Sequence, residues 1–220
     1  NDRLRLYLQD KIFDRIVLTD DVKEVFCSDV DIDNINMLID IIKSSNTKVE
    51  RIVVDLKDEL YSLGELEKIK DKGMVFFGSK GDETRLSVDE MIKTEKTLDL
   101  FVQDIRTSDL SPYERYIAVY NIVKTFKEYK FYKNDKEIDN KYGDESRNIY
   151  LIMNNDYIVC VGYARLLETL LRRVGIDSVE WSISAKEDLH ARNYVHLVDA
   201  KYNIDGYYMC DPTWDNDMVH

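Results

Sequence analysis

Glycine and proline are scarce, with 8 Gly and 2 Pro among 220 residues. That scarcity excludes collagen-like and linker-dominated chains and predicts long regular elements. Cysteine is scarce too. Cys27, Cys160 and Cys210 form an odd set with no Cys-x-x-Cys pair, which excludes a disulfide framework. Basic residues are in deficit, 31 Lys and Arg against 43 Asp and Glu, giving a formal net charge of −12. Nucleic acids and anionic membranes are held by clustered Lys and Arg, so neither is an expected partner. No apolar run approaches the roughly 18 residues that cross a bilayer. The chain begins at Asn1 with no basic-then-apolar leader, and cytoplasmic and secreted locations both stay open.

What is present suits a folded chain. Hydrophobic residues make up 44% and charged residues 34%, which leaves enough apolar material for a core in one large domain or two small ones. No internal repeat is visible. Residues 1–105 read as a mostly helical region: Leu4, Leu8, Ile12 and Ile16 recur at helical spacing, and so do Ile35, Leu38, Ile39 and Ile42. Within it, Val49 to Leu56, Leu60 to Lys72 and Met74 to Phe77 suggest a strand, helix, strand unit. Asp29, Asp31, Asp33 and Asp40 partly match a calcium loop, but Asn34 stands where that loop needs glycine, so no metal is expected.

Residues 106–220 are better punctuated. Ser111-Pro112-Tyr113-Glu114 has the form of a capping box with proline in the first turn, so a helix starts there. Lys127 to Asn148 is polar and reads as a loop able to act as a flap. Leu166, Leu167, Leu170, Leu171 and Val174 make a helical stripe ended by Gly175, which puts Cys160 at the start of that helix. Three alternating runs follow, around Val179 to Ile183, His190 to Val198 and Gly206 to Asp211, and predict an antiparallel meander.

A thiol is nucleophilic as thiolate, and a helix N-terminus favours the thiolate through its unpaired N–H groups and dipole. Cys160 has that placement, and the strands after it supply an imidazole, His190 or His196, and a carboxylate, Asp211. Taken singly, each of these reads as structural: a small buried thiol, strand histidines, an Asp-Pro turn. His190 and His196 share a strand face, so parity does not choose between them. A tight hairpin would favour His196, and the Asp188-Leu189 loop at the strand start favours His190. Cys210 and Cys27 read as structural. A zinc site from Cys160, His190, His196 and Cys210 lacks the paired spacing such sites use, so neither metal nor cofactor is expected.

Three segments resemble the transglutaminase-like superfamily of papain-type thiol enzymes. Cys160-Val161-Gly162-Tyr163-Ala164 is similar to its nucleophile segment, His190-Ala191-Arg192-Asn193 to its histidine segment, and Asp211-Pro212-Thr213-Trp214-Asp215 to its aspartate segment. The resemblance implies an α+β fold in which the nucleophile helix packs on an antiparallel sheet. It further implies Cys160 as nucleophile, His190 as base and acid, Asp211 as orienting carboxylate, and a protein or peptide substrate. Asn193 follows His190 at the family's spacing, which favours His190 over His196. Arg192 departs from the pattern, standing where the family carries Trp or another apolar residue. The implied reaction is acyl transfer or hydrolysis at a carboxamide or amide, with a catalytically inactive binding module as the alternative.

Overall fold

The computed structural model describes residues 3–7, 22–28, 30–56, 61–79, 84–127, 129, 132–133, 136–137, 147–156, 158–185 and 188–215. The fold is mixed α+β and divides into two compact units, residues 1–95 and 96–220. Among the described residues no helix is long and apolar enough to cross a membrane.

The first unit is built on a five-stranded sheet, β1 (Arg3–Tyr7), β2 (Glu24–Ser28), β3 (Arg51–Asp55), β4 (Val75–Gly78) and β5 (Leu86–Ser87), in chain order. The first four are parallel neighbours, and β5 closes the edge antiparallel to β4. Helix α1 (Ile32–Ser44) buries Ile35, Leu38, Ile39 and Ile42, as their spacing predicts. Asp31, one of the candidate calcium aspartates, instead caps this helix by accepting the Asn34 N–H at 2.7 Å. Helix α2 (Leu63–Glu67) starts on a Ser62 and Glu65 capping box, and a single 3-10 turn at Lys70–Lys72 follows. The strand, helix, strand reading of 49–77 therefore holds.

Leu4, expected in a helix with Leu8, Ile12 and Ile16, lies instead in β1, where Arg3-Leu4-Arg5-Leu6 alternates with period two; the other three lie outside the described residues. The inner strands carry apolar runs, Val25-Phe26-Cys27, Ile52-Val53-Val54 and Val75-Phe76-Phe77, because a parallel strand is covered on both faces. Strands β1 to β4 begin at residues 3, 24, 51 and 75. One charge is buried in this sheet: Glu24 lies 3.4 Å from Arg51, its partner in register, and 3.7 Å from Arg85.

Helix α3 (Val88–Thr107) contains the boundary between the units. The second unit continues with α4 (Pro112–Lys124), the short pair β6 (Tyr132–Lys133) and β7 (Lys136–Glu137), then α5 (Ile149–Asn154) and α6 (Cys160–Arg173). Most of the proposed flap at 127–148 lies outside the described residues. Helix α4 starts at Pro112, and the Glu114 carboxylate accepts the Ser111 N–H at 2.9 Å. Leu166, Leu167, Leu170 and Leu171 are all buried in α6, and Gly175 takes φ 81° just past its end.

The meander is β8 (Ser178–Ala185), β9 (Asp188–Asp199) and β10 (Ile204–Cys210), antiparallel with β9 in the centre. Its inner face presents Ala191, Asn193, Val195, Leu197 and Asp199, all buried. Helices α4 and α6 both attach to that face. Asn193 Nδ2 donates to the Ala164 carbonyl of α6 at 2.9 Å, and Asp199 accepts from Ser111 Oγ at 2.5 Å and Tyr113 N–H at 2.9 Å.

Candidate functional site

The site lies entirely within residues 96–220. Cys160 is the first residue of α6, following an extended N-cap, Val159, that offers no side-chain cap. First-turn N–H groups lack helical partners, so the start of α6 presents donors to whatever sits beside it. The thiol is 8% exposed and packs with Ala164 and Ala191, with Tyr129 and Val161 at the margin. The backbone N–H groups of Ala191 and Val161 point at the sulfur.

These contacts do not leave the thiol acidic. Burial pushes the Cys160 thiol above its ordinary value and outweighs the two N–H groups and the Arg147 charge, which favour the thiolate; the Asp211 carboxylate adds to the rise. The lowered value expected from a helix N-terminus is thus reversed, because the same packing that positions the sulfur strips it of water.

His190 and Asp211 are joined directly. His190 Nε2 lies 2.6 Å from Asp211 Oδ2, and both side chains are largely buried. Asp211 is held from three sides: by His190, by Arg192 Nε at 3.2 Å from the same Oδ2, and by the Thr213 N–H, which donates to Oδ1 at 3.2 Å. The Asp-Pro turn expected at 211–212 is this last contact, so the turn and the orienting carboxylate are one feature.

The Trp214 indole nitrogen stands 3.0 Å from His190 Nε2. One nitrogen cannot satisfy both neighbours, since a carboxylate needs an N–H and an indole N–H needs a lone pair. The 2.6 Å contact is shorter and charge-assisted, so Nε2 carries its proton toward Asp211. That leaves Nδ1 as the basic nitrogen. The exposed Trp214 ring then closes one edge of the imidazole, with centroids 5.7 Å apart.

His196 has a different setting. Its ring stacks on Tyr207 at 4.5 Å, and six residues of extended strand put it about 20 Å from His190. Asp211 therefore pairs with His190 and not with His196. Cys210 sits beside Asp211 but turns to the inner face, where Tyr116 of α4 hydrogen-bonds it and burial pushes its thiol up to about 11. Cys27 is buried in β2, its thiol pushed up to about 12 by burial alone. None of the three cysteines is in a disulfide.

Tyr129 and Arg147 were not visible as site residues in the sequence. Tyr129 packs against the Cys160 cluster, parallel to the Tyr163 ring at 6.5 Å, and Arg147 acts on the thiol through its charge. Both lie at the ends of the polar 127–148 stretch, where no periodicity marks which side chain turns inward. The Tyr163 hydroxyl donates to the Lys127 carbonyl, and Lys127 Nζ donates to the carbonyls of Ile152 and Asn155 at the end of α5. The chain entering and leaving 127–148 is thereby fastened to the site's own helices. The sequence matches no protein-family model and no curated protein.

Proposed function

We propose that this chain is a thiol-dependent acyl-transfer enzyme with a transglutaminase-like core, acting on a carboxamide or amide of a protein or peptide. The observation that carries the proposal is the His190 and Asp211 contact of 2.6 Å on the strand whose next residue, Ala191, packs on the Cys160 sulfur. Papain-type chemistry needs a sulfur at a helix start, an imidazole and a carboxylate behind the imidazole; Cys160 at the start of α6 and the His190 and Asp211 pair support that reading.

The proposed steps are these. Cys160 Sγ attacks the carbonyl carbon while its proton passes to His190 Nδ1, so an S–C bond forms and the C=O π pair moves onto oxygen. Asp211 stabilises the imidazolium from the Nε2 side, and N–H groups of the first α6 turn face the oxyanion. Collapse breaks the C–N bond and returns the His190 proton to the leaving nitrogen. The resulting thioester is released by an amine, giving a cross-link, or by water, giving deamidation or cleavage. Because burial keeps the thiol neutral at rest, His190 works as a general base during attack.

The test compares the wild type with Cys160→Ala on a glutamine donor and a fluorescent amine, with intact-protein mass spectrometry for the thioester. Incorporation and a covalent adduct are expected in the wild type only; equal incorporation by both proteins would refute the assignment. A second reading, a binding module on the same fold, is favoured by one contact: Arg192 shares the carboxylate oxygen that His190 needs. It predicts no adduct from either protein.

A further inference from the structure

The outer face of the β8, β9 and β10 sheet is built in an unusual sense. An edge strand that packs on a helix normally turns its apolar residues toward it. In β8 the inner face instead carries Ser178, which accepts from Asn193, and Glu180, which pairs with Arg165 of α6 at 3.0 Å. The apolar residues of β8, Val179 and Trp181, point outward and are 61% and 54% exposed. Their neighbours in register are also exposed: Tyr194 lies between Val179 and Met209, and Tyr207 and Val198 extend the patch along β10 and β9. Trp181 packs edge-on to Tyr194 with centroids 6.0 Å apart.

The same face carries His190, Arg192 and Asp211. Arg192 is the register partner of Trp181, and one more step along β9 is His190. Any molecule that delivers a carbonyl to His190 and lies along this sheet covers the patch. We propose that the patch docks the apolar flank of an extended polypeptide substrate, whose reactive carboxamide is thereby held beside His190. This rests on the acyl-transfer reading. The six side chains offer on the order of 600 Å², less than the about 800 Å² per partner of a standard stable interface, which suits a peptide segment better than a permanent dimer. A second copy seated here would also bury His190 and Asp211, and the net charge of −12 opposes an anionic bilayer.

The test measures binding and turnover separately. On Cys160→Ala protein, fluorescence anisotropy follows a fluorescein-labelled peptide with one glutamine between leucine and phenylalanine residues, and a control with serine in their place. The apolar-flanked peptide should bind about tenfold more tightly, and Trp181→Ser or Tyr207→Ser should remove that preference. Val179→Ser provides a third variant should either of the others unfold. In the Cys160-intact background the same face variants should turn over a minimal glutamine donor at the wild-type rate. Equal affinity for both peptides, or a preference that survives the face variants, would overturn docking. So would a dimer that Tyr207→Ser dissociates, because the face would then belong to a second copy. A Cys160→Ala protein as active as the wild type would instead overturn the catalytic reading and leave the anisotropy result standing on its own.

Discussion

A sulfur that is dry and close to a carboxylate gives up its proton reluctantly, and Cys160 meets both conditions. The sign of the pH dependence follows. The thiolate is the reactive form, burial raises the thiol above its ordinary value, and so the alkylation rate should climb through pH 9 without levelling off at neutrality. Iodoacetamide labelling across pH 5 to 11, with peptide mapping to separate Cys160 from Cys27 and Cys210, measures this. A plateau reached by pH 7 would mean a resting thiolate and imidazolium pair, and His190 would then act chiefly as an acid. The Asn193 spacing pointed to His190 over His196, and Asp211 does pair with His190; the state of the thiol was not legible, because it depends on Ala164, Ala191 and Tyr129 closing around it from three separate stretches of chain.

Strand β9 organises the second unit because its two faces do different work. Odd-numbered residues fasten it to helices: Ala191 to Cys160, Asn193 to Ala164, Asp199 to the start of α4. Even-numbered residues carry His190, the proposed base, and the outward patch. Asn193 sets the distance between these functions, being fully buried and bonded through Nδ2 to both α6 and Ser178. Asn193→Ala should cost about 1–2 kcal/mol in chemical denaturation. It should also lower kcat by more than the unfolded fraction explains, since the strand bearing His190 loses its tie to the helix bearing Cys160. A variant destabilised by that amount but with unchanged kcat would show that Asn193 only holds the fold. The meander was readable from alternation alone, yet alternation could not say which face of β8 is wet. Val179 and Trp181 face outward because α6 presents Arg165 to the other face, where it pairs with Glu180.

At the scale of the molecule, the two units differ in how well periodicity described them. In residues 96–220 helix α6 is amphipathic and the central strand β9 alternates buried and outward residues, so each has a clear period. In residues 1–95 the inner strands β2, β3 and β4 are covered on both faces, which turns alternation into apolar runs. Charge belongs to this scale as well. With 43 acidic and 31 basic side chains, the chain generates a negative field that concentrates cations around it irrespective of local pairing. A carboxamide peptide flanked by lysines should therefore be captured faster than one flanked by aspartates. The advantage in kcat/KM should shrink as ionic strength rises from about 0.01 M to 0.15 M, where the screening length falls from about 30 Å to about 8 Å. The effect should appear in kcat/KM and leave kcat nearly constant, because steering acts on encounter and not on the bound complex. If lysine-flanked and aspartate-flanked peptides responded alike to salt, specificity would have to come from contacts at the site itself, with the outward face of the meander as the first surface to alter.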